Sequence, residues 1–148
     1  MANEVVMTKL LEAPRGRVFR AWTIAEEFAQ WWGPHGFTIP RCELDARPGG
    51  AIRVDMRAPD GTVHPMGGEF REIVVLEKIV FVTSALDGAG KPMFEFLHQI
   101  DFSDEGAKTK LVTRSRLLTT TPQAAQFTAG FQMGWTQQLE RLAEYVKH

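Results

Sequence analysis

The sequence predicts one α+β domain: a curved antiparallel sheet of about seven strands around a long C-terminal helix, with two short helices after the first strand. Three observations predict it. A β-compatible N-terminal run gives way to helical spacing over residues 14–32, residues 37–118 break into six short β-type runs separated by turn signals, and the stretch after Thr121-Pro122 has one broad apolar face and no further proline.

Taken in order, residues 4–12 mix Val5, Val6, Met7, Leu10 and Leu11 with polar neighbours, and this strand stops at Ala13-Pro14. Pro14 suits the first position of a helix, where its missing N–H costs nothing, and Val18, Phe19 and Trp22 give the helical spacing. Thr23-Ile-Ala-Glu26 has the form of a capping box, which starts a second short helix over 24–32 that ends at Gly33-Pro34. The six runs that follow lie at 37–45, 51–58, 64–75, 78–86, 94–103 and 107–118. Arg47-Pro48-Gly49-Gly50, Pro59-Asp60-Gly61, Asp87-Gly88-Ala89-Gly90 and Asp104-Glu105-Gly106 separate most of them, and Leu76-Glu77 is the expected turn where no Gly or Pro occurs. Short links between consecutive strands give an antiparallel meander. In the last helix, Thr121 is the expected N-cap, and Phe127, Phe131, Trp135, Leu142 and Val146 fall within about a 100° arc.

Composition narrows the function classes. With 148 residues, 44% of them hydrophobic, the chain can bury a substantial core that has room for a cavity. Seventeen Lys and Arg against 18 Asp and Glu, without a long like-charge run, give no footprint for nucleic acid or an anionic membrane. No apolar stretch approaches the roughly 20 residues of a membrane span. The lone Cys42 makes no internal disulfide, and Glu4 stands where a signal peptide would be basic, so a cytoplasmic protein is expected.

Six stretches resemble one family: Ala13-Pro-Arg-Gly-Arg-Val-Phe-Arg-Ala-Trp22, Trp31-Trp-Gly-Pro-His-Gly-Phe37, Asp45-Ala-Arg-Pro-Gly-Gly50, Met56-Arg-Ala-Pro-Asp-Gly61, Gly68-Glu-Phe-Arg-Glu-Ile73 and Gly130-Phe-Gln-Met-Gly-Trp135. In that order they are similar to the SRPBCC superfamily and, within it, to the C-terminal domain of the Hsp90 ATPase activator. The resemblance implies the helix-grip fold, START-like and Bet v 1-like. It also implies three kinds of role found in the superfamily: holding small apolar ligands, cyclising aromatic polyketides, and acting as Hsp90 co-chaperones. Fold does not choose among them. The resemblance covers only the helix-grip domain, and the separate N-terminal domain of the eukaryotic activators has no room in 148 residues, which sets a chaperone-interacting stress protein behind the other readings.

The chain carries no nucleophile elbow, phosphate-binding loop or dinucleotide fingerprint, so no cofactor is expected. Its histidines, at 35, 64, 98 and 148, have no metal-ligand spacing to one another, to Cys42 or to a carboxylate, so no metal is expected either. His35, in the Gly33-Pro34-His35-Gly36 turn, is expected in solvent. Period two puts His98 on one face with Phe94, Phe96, Ile100 and Phe102, where it is either a paired core imidazole or a polar group of a pocket. Gln138 interrupts the apolar face of the last helix, and Gly130 and Gly134 lie on its edge, there for tight packing or to open space for a ligand. Charges alternate along several strands, among them Arg53, Asp55 and Arg57, Glu69 and Arg71, and Lys108 to Arg116, the pattern of cross-strand ion pairs on a solvated face.

The leading expectation is a binding protein for an apolar or aromatic small molecule, held between sheet and C-terminal helix by Phe81, Phe96, His98, Phe131, Trp135 and Gln138, with no assigned catalysis. The enzyme alternative is a cyclase- or hydrolase-like reaction with His98 as acid or base, helped by Asp55 or Glu69. Trp22, Trp31 and Trp32 either plug the core or leave an apolar patch for a partner such as a second copy, a homodimer.

Overall fold

The computed structural model describes residues 4–87, 89–118 and 124–147. Along the chain run β1 (Glu4–Leu11), α1 (Arg15–Thr23), α2 (Ala25–Trp31), β2 (Thr38–Leu44), β3 (Ala51–Arg57), β4 (Val63–Val74), β5 (Lys78–Leu86), β6 (Pro92–Glu105), β7 (Lys108–Leu117) and α3 (Ala124–Val146). The strands form one antiparallel sheet in the order β1-β7-β6-β5-β4-β3-β2. It is the expected meander, with β1 joining its far edge, and it curves around α3.

Alternation builds the inner face. On β7 the buried residues Thr109, Leu111, Thr113, Ser115 and Leu117 follow period two, and on β6 His98, Ile100 and Phe102 do the same. On α3 the residues Trp135, Gln138, Leu139, Leu142 and Val146 form the buried stripe that meets them. The expected N-cap at Thr121-Pro122 and the side chain of Phe127 lie outside the described residues. An aromatic cluster closes one end: Trp22 of α1 and Phe28 and Trp31 of α2, with Trp32 just after, are at most 3% exposed. Ring centroids of Trp22 and Trp31 are 4.7 Å apart, and the Trp31 indole N–H donates to the Ala21 carbonyl at 2.9 Å. The three tryptophans therefore plug the core and form no surface patch.

Several local expectations are corrected. Pro14 precedes α1, as its N-cap with ψ 157°, and the first helical residue is Arg15. The capping box does not form: the Thr23 hydroxyl turns back to the Phe19 carbonyl at 2.9 Å, and the extended Ile24 both ends α1 and begins α2. Strand β6 is longer than its run, from Pro92 to Glu105, so the following turn tightens to Gly106, φ 64°, and its neighbour. Pro65 sits inside β4 but pairs only with Asp55 of β3, because pairing to β5 begins at Met66. The turn at Leu76-Glu77 is where expected, with Leu76 at φ 66°. Arg15 holds it, donating to the Leu76 carbonyl at 2.9 Å and to Asp104 at 2.8 Å. The ion pairs of the outer face run mainly along strands, two residues apart: Arg41 with Glu43, Arg53 with Asp55, Arg71 with Glu69. Same-strand neighbours on one face suffice, and of the expected cross-strand kind the pair between Lys78 and Glu72 joins β5 to β4.

Candidate functional site

Strand β6 and helix α3 meet in a two-by-two stack of rings. Two strand residues rise by about 6.8 Å and four helical residues by about 6 Å, so Phe96 and His98 come level with Phe131 and Trp135. Phe96 stacks on Phe131 at 4.5 Å and 13° between planes, and His98 on Trp135 at 4.9 Å and 2°. The two columns are joined by the stack of Phe131 on Trp135 at 5.3 Å. The Trp135 indole N–H donates to the Thr113 hydroxyl at 3.0 Å, fixing its ring against β7.

Beside this stack lies a cleft of about 220 Å³. Phe131, Gly134, Trp135 and Gln138 of α3 form one wall, Phe96, His98, Thr83 and Ala85 the sheet floor, and Met56, Met66 and Pro65 its far side. Trp32 and Pro34, from the turn after α2, close the end, with exposed His64 at the rim. The wall is overwhelmingly apolar, and among the described residues no Lys, Arg, Asp or Glu belongs to it.

Of the six candidate residues, Phe96, His98, Phe131, Trp135 and Gln138 meet at this cleft. Phe81 does not line it. It lies one layer deeper, 3% exposed and 4.8 Å from the His98 ring, beside a separate void of about 10 Å³. An aromatic-rich interior does not tell which ring reaches the cleft, because depth along a curved sheet depends on register. The sequence reading missed Trp32, Pro34 and His64. Inward periodicity of β3 and β4 could have supplied Met56 and Met66; nothing local marks the turn residues, which reach the cleft only through docking on α3.

That docking is specific. The Gly33 N–H donates to Gln138 Oε1 at 2.9 Å, which fixes the amide's orientation. The Arg141 guanidinium donates to the carbonyls of Trp32, Gly33 and Pro34 at 2.9, 3.0 and 3.1 Å. It thus satisfies the orphan carbonyls that follow α2, and partial burial lowers its pKa. A Cβ on Gly134 would stand 3.3 Å from the Pro34 ring, so this glycine serves close approach to the turn and space in the cleft together. Among the described residues nothing stands within 4 Å of a Cβ placed on Gly130, and none of them explains it.

His98 is 1% exposed and paired at both nitrogens: Nε2 lies 2.8 Å from the Thr83 hydroxyl and Nδ1 2.8 Å from the Ser115 hydroxyl. Hydroxyls donate or accept as required, so either neutral tautomer is satisfied. Burial pushes the His98 pKa down to about 3. Asp55 and Glu69, the suggested helpers, alternate with buried Val54 and Phe70 and so face the other side of the sheet, where Arg53 and Arg71 pair with them. His35 is exposed as expected, with Nε2 3.3 Å from Glu140. Half-buried Cys42 has its thiol pushed up to about 11, first by burial and then by Glu26 and Glu43, the opposite of an activated nucleophile. Among the described residues no group of three or more His, Cys, Asp or Glu could hold a metal ion, and no helix is long and apolar enough to cross a membrane.

A curved seven-stranded sheet gripping a C-terminal helix, with a cleft between them, defines a helix-grip protein of the SRPBCC superfamily. The family described as Activator of Hsp90 ATPase homolog 1-like protein matches residues 12–147, and the chain belongs to it. A crystal structure of a protein from Chromobacterium violaceum is similar over 100% of this chain and 99% of that one, with 29% identity and a TM-score of 0.85. A protein from Arthrobacter aurescens, 20% identical, has a TM-score of 0.87 over 99% of this chain and 87% of that one. The protein described as AHSA1 from Silicibacter pomeroyi, 18% identical, has a TM-score of 0.85 over 97% of each chain. The last two share the fold. No curated protein matches.

Proposed function

We propose that this chain binds a small apolar or aromatic molecule in the cleft between the sheet and α3, without assigned catalysis. The observation that carries this is the cleft itself: about 220 Å³, walled by stacked aromatic rings and two methionines, with few polar groups. An apolar cavity of about 150 Å³ accepts benzene, so the space suits a substituted single ring or two fused rings.

The acid–base reading is less well supported. His98 has hydroxyls, not carboxylates, at both nitrogens, and a pKa near 3 leaves it without a proton to give or a useful affinity for one at neutral pH. The chaperone reading rests on the family description alone.

The test is titration with naphthalene, read by tryptophan fluorescence, since Trp32 and Trp135 line the cleft. Saturable quenching is expected in the wild type, and about a tenfold loss of affinity in Ala85→Leu, whose larger side chain fills the floor. Failure to quench, or equal affinity in the filled variant, contradicts the proposal.

A further inference from the structure

Among the described residues, the buried side-chain polar atoms without a hydrogen-bond partner are Trp22 Nε1, Trp32 Nε1, Arg53 Nε, Asp55 Oδ1 and Gln138 Nε2. A buried orphan is costly, and natural structures keep few of them. Their positions differ. Arg53 and Asp55 pair with each other on the outer face of the sheet. Trp22 lies beside the void of about 10 Å³, room for one water at most. Trp32 and Gln138 alone of the five line the 220 Å³ cleft.

Both orphans at the cleft are N–H donors. The Gln138 assignment is not arbitrary, because the Gly33 N–H can only donate, so the amide must present Oε1 to it and leave the NH₂ end free. The indole of Trp32 can only donate. The other buried polar groups of the cleft are already engaged: Thr83 and His98 bond to each other, and the second His98 nitrogen bonds to Ser115. Both nitrogens are covered by neighbouring atoms in this structure, so a ligand oxygen reaches them only where side chains at that end of the cleft give way, and among the described residues no Lys or Arg lines the cleft.

We infer that the ligand is a neutral molecule with a hydrogen-bond-accepting oxygen, a ketone, ester or ether on an apolar ring system, and that Trp32 Nε1–H and Gln138 Nε2–H hold that oxygen. This rests on the proposed binding role and specifies its ligand class. An anion is disfavoured because, among the described residues, no Lys or Arg lines the cleft to offset its desolvation. A plain hydrocarbon fits but leaves both donors unpaired.

A matched pair separates the two levels of the proposal: tetralin, a bicyclic hydrocarbon, and 1-tetralone, the same skeleton with a ketone. In a cleft that is merely apolar, tetralin binds more tightly, because the ketone gives up its bonds to water. With both donors available the order inverts, and 1-tetralone is expected to bind about tenfold more tightly, the size of one net hydrogen bond. Trp32→Phe keeps a ring and removes the indole donor; Gln138→Met removes the amide at similar length. Each should abolish the preference for the ketone. Both residues wall the cleft and Gln138 also holds Gly33, so tetralin affinity falls in these variants as well; the readout is the ratio of the two affinities, which should drop from about ten to about one or below. A second readout needs no variant: the Trp32 indole N–H resonance should move downfield with 1-tetralone and stay near its free position with tetralin. The anion 1-naphthoate should bind at least tenfold more weakly than 1-tetralone. Tetralin binding more tightly than 1-tetralone to the wild type, or naphthoate binding best, overturns the inferred ligand class while the cleft still binds. If neither tetralin nor tetralone binds, the binding role fails, and the inference fails with it.

Discussion

At 1% exposure between two hydroxyls and a stacked indole, His98 titrates far below the ordinary imidazole range, at about 3 against 6.5. The unfolded chain therefore binds a proton in this window that the folded chain does not, so this contribution is fully present above about pH 6.5 and is lost as pH falls toward 3. In the steepest part the loss is about 1.4 kcal/mol per pH unit. His98→Asn, which cannot protonate there, should be less stable at pH 7 yet show a shallower fall in stability between pH 6.5 and 4.5, measured by urea unfolding. Parallel slopes in the two proteins would mean that His98 is charged in the folded state. The inward position of His98 was legible in the sequence, because alternation along Phe96-Leu97-His98-Gln99-Ile100 needs no partner strand. Its hydroxyl partners were not. Ser115 stands directly across from it on β7, and Thr83 is on β5 opposite Phe96, so both depend on register across two hairpins.

Between elements, the segment after α2 is held to α3 by a side chain that no local pattern marks. Arg141 sits one turn beyond Gln138, and its guanidinium gathers three successive carbonyls. Its planar fork suits that task better than an ammonium. Arg141→Met should lower stability by about 2 kcal/mol, the range for hydrogen bonds to a charged group. Arg141→Lys should recover only part of that, as read from denaturant midpoints at unchanged m-value. Full recovery by Lys would reduce the role to charge alone. The short helices were legible from Pro14, Trp22 and Gly33-Pro34, but their joint was misread: Thr23-x-x-Glu26 has the letters of a capping box, and a local bond from Thr23 back to Phe19 wins because α1 runs to Thr23.

For the molecule as a whole, turn residues and period two placed the strands nearly to the residue, since each strand's signal is local. The cleft was legible only as a place between the sheet and the last helix. Its closing end, Trp32 and Pro34, is brought there by tertiary contacts, and Phe81, named with the candidate site from an aromatic-rich interior, lies beside the separate smaller void. The grip itself follows from matched rises: rings two apart on β6 meet rings four apart on α3, and the cleft lies where that stack ends and the α2 turn begins. The most direct test of this account is a residue-resolved NMR titration of the ¹⁵N-labelled protein with naphthalene. Shifts concentrated at Trp32, Met66, Ala85, Phe96, Phe131 and Gln138, saturating with one site, are the predicted result; no saturable shifts, or shifts centred on the outer face of the sheet, would contradict it.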